Sequence, residues 1–169
     1  LNLSFTRDQQ ITTNAGLVIC NLSPKQREPE IKIMEYVWKK LRVRIIGKIK
    51  PPGTLEGGDF FPAGPDLCFI GTGLRTNYHA VQQLLKEDLF GTRRVANVRD
   101  LFDRDQQRMH LDTVFNIAGE KCCVILDVIC GYRSETRRLV TEYTKSENGY
   151  FVSRRDVEFT QYLKEEIGR

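Results

Sequence analysis

The chain has 169 residues, 40% of them hydrophobic and 28% charged, with a formal net charge of +4. This is about one domain's worth of chain with apolar residues enough for a sizeable core. The modest charge, with no basic run interleaved with exposed aromatics, excludes a nucleic-acid surface. No apolar stretch reaches the about 20 residues of a membrane span, and no secretory signal pattern is present.

Leu17–Cys20 is a short apolar run and reads as a strand. Ser23-Pro24-Lys25-Gln26 follows: a serine cap, a proline for the first helical position and a glutamine three residues on, the pattern of a capping box. The helix it opens places Ile33, Val37 and Leu41 inward, with Met34 beside them. Val43–Ile46 is rich in β-branched residues and reads as a strand ended by Gly47. Pro51-Pro52-Gly53 is a turn. Phe60-Phe61 and Leu67–Ile70 read as strands. A helix is expected from Asn77 to Leu89, with Val81, Leu85 and Leu89 inward, and then a strand over Val95–Val98. A third unit starts at His110, with strands over Thr113–Ile117 and Cys122–Ile129. Residues 131–150 are polar and carry no clear period, although Asn148-Gly149 is a turn signal. The last helix is expected over Asp156–Ile167, with Phe159, Leu163 and Ile167 on one face.

An internal offset runs through this order. Asp8 precedes Glu56 by 48 residues, Cys20 precedes Cys68 by the same 48, and Arg27 precedes Arg75 by the same 48. An offset that carries polar and apolar positions together marks repeated supersecondary units. The expected fold class is therefore α/β, built from strand–strand–helix–strand units of about 50 residues. Three such units are counted. A closed ring needs more, and the chain opens without Met, so a domain cut short at both ends is expected.

Five cysteines occur, Cys20, Cys68, Cys122, Cys123 and Cys130, most of them within apolar runs and none in a CxxC pair. Neither a zinc site nor a thioredoxin-like motif is indicated. All five read as buried, structural thiols in a reducing compartment.

Repeats around a common axis bring equivalent strand ends together. Asp8, Glu56, His110 and Asp112 would then share one acidic, histidine-bearing pocket, which suits a guanidinium, a flat cation that carboxylates hold with paired hydrogen bonds. Each motif also has a plainer reading. Gly57-Gly58 suits a strand entry with unusual dihedrals, Asp8 suits a turn cap, and a lone histidine is more often a satisfied core residue than a catalyst. Gly71-Thr72-Gly73 lacks the third glycine and the lysine of phosphate-binding loops, so nucleotide binding is not expected.

Four motifs in order carry a resemblance: Phe5-Thr6-Arg7-Asp8 preceded by Asn2, Leu55-Glu56-Gly57-Gly58-Asp59-Phe60, Gly73-Leu74-Arg75-Thr76, and Met109-His110-Leu111-Asp112-Thr113. Together they resemble the arginine deiminases, in the guanidino-group-modifying superfamily that also holds amidinotransferases. The resemblance runs to about Leu126 and is weaker after it. It implies part of a five-bladed α/β propeller of ββαβ modules, with residues 1–169 as a partial catalytic domain. It also implies hydrolysis of L-arginine to citrulline and ammonia through a covalent cysteine intermediate, in the cytoplasm, with no metal or organic cofactor. The implied partner is the small molecule arginine, with no nucleic acid and no membrane, and the full-length protein is expected to be a homo-oligomer. Asp8 and Asp112 would hold the guanidinium, and Glu56 and His110 would handle protons. Arg75 and Arg27 would bind the substrate carboxylate, assisted by Asn2. Phe5 would line the pocket, and Asp59 would support Glu56. The family's nucleophilic cysteine lies downstream of the His-x-Asp motif, and none of the five cysteines here matches it. The superfamily alternatives are an amidinotransferase, another guanidine hydrolase and a non-catalytic arginine-binding domain.

Overall fold

A computed structural model describes residues 3–167, the side chain of Ile167 excepted. Two strand–strand–helix–strand units are complete. In the first, β1 (Gln10–Thr13) and β2 (Gly16–Ile19) form a hairpin, α1 (Glu28–Lys40) crosses over, and β3 (Ile45–Lys48) returns parallel to β2. In the second, β4 (Phe60–Pro62) and β5 (Leu67–Thr72) form the hairpin, α2 (Tyr78–Lys86) crosses, and β6 (Arg94–Arg99) returns parallel to β5. A parallel return needs a crossover of a dozen or more residues, and the helix supplies it.

The third unit opens with the hairpin β7 (Phe115–Gly119) and β8 (Cys122–Ile125). A second, longer hairpin then intervenes, β9 (Leu139–Ser146) and β10 (Gly149–Glu158), turning at Asn148-Gly149. β9 pairs antiparallel with β6, so the larger sheet runs β10-β9-β6-β5-β4. α3 (Phe159–Ile167) follows and lies beside β8, where Thr160 and Leu163 face Cys123 and Ile125 across a groove. The α/β class and the ββαβ modules are those read from the sequence, with two units complete instead of three. Among the described residues the sheets remain open.

β5 is buried on both faces and divides the core. Cys68 and Ile70 pack with β2, α1 and α2, while Leu67 and Phe69 pack with β7 and α3. That second side is aromatic: Phe69 and Phe115 meet edge to face at 5.4 Å, and Phe115 and Phe159 at 5.1 Å.

Local expectations hold where one face is clearly apolar. Asn77 caps α2 by accepting from the Ala80 N–H, and of the expected inward residues Val81 is fully buried and Leu89 is buried just past the helix end, while Leu85 is half-buried and Leu84 faces the core instead. In α1 the inward positions differ from the expected stripe. Ile31 is buried and Trp38 packs on the core, whereas Leu41 is 64% exposed because the helix has ended and Arg42 turns the chain at a positive φ of 56°. The capping box does not form: a 3-10 turn over Lys25–Arg27 precedes α1, with no side-chain cap. The last helix begins at Phe159 rather than Asp156, since Asp156 is still in the edge strand β10. The cysteines also divide. Cys20 and Cys68 are buried, but Cys122 is exposed and Cys123 and Cys130 are half-buried.

Candidate functional site

The first ends of the three units meet. Asp8 precedes β1, Glu56 precedes a 3-10 turn (Gly57–Asp59) that leads into β4, and His110 and Asp112 stand at a 3-10 turn (Leu111–Thr113) that leads into β7. The first two chain entries are tied directly, the Gly57 N–H donating to the Asp8 carbonyl at 3.1 Å.

Glu56 and His110 form the centre. The imidazole donates from Nε2 to Glu56 Oε2 at 2.8 Å, and both side chains are almost completely buried. The other Glu56 oxygen accepts from the Ser23 N–H at 3.1 Å, and the Glu56 N–H donates to the Thr76 hydroxyl at 3.2 Å. Burial alone would raise the Glu56 carboxyl. The His110 hydrogen bond and the charges of His110 and Arg75 outweigh it and leave the group below its ordinary value. Burial alone would lower His110. The hydrogen bond to Glu56 and the negative charge of the surrounding carboxylates, Glu56 and Asp8 among them, outweigh it and raise the imidazole. The pair is therefore biased toward carboxylate and imidazolium.

Asp112 lies on the far side of the imidazole, its Oδ1 3.9 Å from His110 Nδ1, and burial raises its carboxyl against the pull of His110 and Arg7. Asp8, Glu56 and His110 bring their polar atoms within 4.8 Å of one another, a spacing able to hold a cation. Positive charge there comes from Arg27, whose Nη1 donates to Asp8 Oδ2 at 2.9 Å and lies 3.9 Å from Glu56 Oε2. Arg27 also grips the buried Glu30 through Nε at 3.0 Å. Arg75 is placed differently. Its Nη1 is 3.9 Å from Glu56 Oε1, and its Nε donates to the Met109 sulfur at 3.2 Å, a weak acceptor.

These groups open into a cleft of about 620 Å³ lined by Phe5, Asp8, Arg27, Arg75, His110 and Asp112 among others. Phe5 lines it while 59% exposed. Asp59 does not line it. It sits behind Glu56 and His110, 4% exposed, with Oδ1 accepting from the Leu111 N–H at 2.8 Å. Asn2 lies outside the described residues. None of the five cysteines lines the cleft.

The two glycines of the Glu56 motif are required by contact rather than by dihedral angle. A Cβ at Gly57 would stand 1.9 Å from the Arg7 carbonyl oxygen, and one at Gly58 would stand 2.7 Å from His110 Nδ1 and 2.9 Å from Asp112 Oδ2. Sequence reading left four contributors unassigned, although each sits inside or beside a quoted motif. Arg7 reaches Asp112 at 3.6 Å, Met109 meets Arg75, Thr76 holds the Glu56 backbone, and Glu30 anchors Arg27.

The sequence pattern described as arginine deiminase matches residues 1–169. An arginine deiminase of Halobacterium salinarum is 26% identical over 226 residues, which takes in 97% of this chain and 45% of the relative. That alignment is longer than this chain, so the relative carries segments within the matched span that this chain lacks. An arginine deiminase of Borrelia duttonii is 36% identical over 121 residues, covering 68% of this chain and 29% of the relative. Among solved structures, a cysteine-to-serine mutant of DDAH from Pseudomonas aeruginosa, complexed with citrulline, superimposes with a TM-score of 0.56. It is 25% identical over 67% of this chain and 42% of that one. The chain thus spans less than half the length of these curated relatives.

Proposed function

The chain belongs to the arginine deiminase family, and we propose that it supplies the guanidinium-holding and proton-handling part of an enzyme that hydrolyses L-arginine to L-citrulline and ammonia. The family and the fold are those of hydrolases in the guanidino-group-modifying superfamily. One observation carries the finer reading. The Glu56–His110 pair at 2.8 Å is flanked by Asp8 on one side and Asp112 on the other, with Arg27 and Arg75 at the same cleft.

A guanidinium is resonance-stabilised and a poor electrophile. Asp8 and Asp112 would fix its plane and polarise its carbon. Arg75, held among the described residues by the Met109 sulfur and a long contact to Glu56, would take the α-carboxylate. A thiolate from outside these residues would add to the central carbon. The C–N bond would then break as His110 gives a proton to the departing nitrogen. Water, losing a proton to the His110–Glu56 pair, would then add to the same carbon and expel the thiolate, leaving citrulline. The site is expected to work in a cytoplasmic enzyme without metal or organic cofactor.

The rival reading is an arginine-binding domain that does not turn its ligand over. The polypeptide carrying these residues separates the readings when incubated with L-arginine alone. Citrulline formed without an amine acceptor, and lost in Asp112→Ala, supports a deiminase and excludes an amidinotransferase. Arginine binding with no citrulline supports the rival.

A further inference from the structure

Behind the His110–Glu56 pair is a small cavity of about 20 Å³, lined by Asp59, Gly71, Thr72, Asp100, His110 and Arg138 among others. This is room for one water, which needs about 10–15 Å³ on the same measure and two to four polar partners. Asp59 Oδ1 is satisfied by the Leu111 N–H, but its buried Oδ2 has no hydrogen-bond partner. Gly71 keeps the carboxyl close, since a Cβ there would come within 2.5 Å of Oδ1.

We propose that Asp59 serves as a neutral carboxylic acid whose Oδ2 hydrogen is donated to one water held in this cavity, and that in this form it positions His110 without adding a negative charge beside Glu56. An orphaned carboxylate oxygen buried from solvent is costly, whereas a carboxylic acid with a water to donate to is satisfied. The groups around it pull both ways. His110 and the Thr76 hydroxyl favour the anion, together with the Leu111 N–H. Glu56 opposes it. Cys20 lies on the core side, and Asp100, Arg108 and Arg138 lie across the cavity. Burial is the largest influence and lifts the carboxyl from 3.8 to about 7. Because the Leu111 N–H precedes the turn that carries Asp112 and directly follows His110, Asp59 fixes both groups through the backbone. The inference rests on this geometry and holds whatever the substrate.

The test compares the chain with Asp59→Asn, which mimics the neutral acid, by thermal unfolding at pH 5 and pH 8. The unfolded carboxyl ionises above its ordinary 3.8 while the folded one keeps its proton to about 7, so the parent loses stability progressively across that interval and the variant, which lacks the group, does not. The melting temperature of the variant relative to the parent is therefore expected to rise by several degrees between pH 5 and pH 8. An offset between variant and parent that does not grow from pH 5 to pH 8 overturns the proposal. The unmodified chain gives an independent readout. The Asp59 side-chain carboxyl carbon shift is expected to titrate with a midpoint near pH 7, and a midpoint below pH 5 overturns the proposal even if the variant does not fold. A high-resolution crystal structure is expected to show one water within hydrogen-bond distance of Oδ2, and a dry cavity overturns that half of it.

Discussion

The guanidinium of Arg27 rests on the carboxylate of Asp8 at 2.9 Å. Sequence reasoning assigned these residues to opposite ends of arginine, Arg27 to its carboxylate and Asp8 to its guanidinium. Here they satisfy each other, so a ligand guanidinium reaching Asp8 must displace or share the Arg27 contact. Arg27 can give way in part because its Nε is held independently by Glu30.

Removing Arg27 takes its cation from Asp8 and from the buried Glu30. Arg27→Ala is expected to cost about 2–4 kcal/mol, slightly less than a fully buried pair because Arg27 and Asp8 retain some solvent contact. Urea unfolding measures it. A loss under about 0.5 kcal/mol would show that the contact is held only weakly.

The His110–Glu56 pair makes stability depend on pH with a defined sign. The raised imidazole contributes stability that is complete below its ordinary value of 6.5 and lost as pH rises through the folded value. The lowered carboxyl contributes stability present above 4.5 and lost as pH falls through its folded value. The pair therefore stabilises most between those two values. In Glu56→Gln the His110 titration midpoint is expected to fall below 6.5, read from imidazole proton shifts. An unchanged midpoint would contradict the assigned hydrogen bond.

Gly58→Ala drives a methyl into His110 and Asp112, and is expected to cost about 1–3 kcal/mol and to remove arginine binding. Gly119→Ala is the control, since nothing lies within 4 Å of its Cβ, and it is expected to be neutral within about 0.5 kcal/mol. Equal behaviour of the two variants in unfolding and calorimetry would show that the glycine contact is dispensable.

Arg75 is expected to read the ligand carboxylate. Agmatine, which is arginine without that group, should bind the chain more weakly than arginine, and Arg75→Ala should remove the difference by weakening arginine about 10–100-fold. Calorimetry with both ligands checks it, and a preference for arginine that survives the substitution would move the role elsewhere.

The modules were legible because their signals are local and agree with one another. Asn77 opens α2, Val81 and Leu89 are buried, and the 48-residue offset puts Arg27 and Arg75 at equivalent helix entries. The site motifs were legible because short polar clusters precede each hairpin. The rest was hidden by tertiary choices. The β10 run Ser153-Arg154-Arg155-Asp156 is polar on an edge strand with shifted register, so neither strand alternation nor a helical stripe survives in it. Cys122 is exposed because β8 presents alternate residues to solvent, which an apolar run does not reveal. The Arg27–Asp8 contact and the Asp59 cavity depend on segments far apart in sequence, and no spacing rule reports them.

The most direct test of the central claim is calorimetric titration of the chain with L-arginine, alongside Asp112→Asn. The account predicts binding of one arginine per chain that is lost, or weakened at least about 100-fold, in the variant. Binding that is unchanged in Asp112→Asn would contradict it, because the cleft would then hold arginine by groups other than the paired carboxylates.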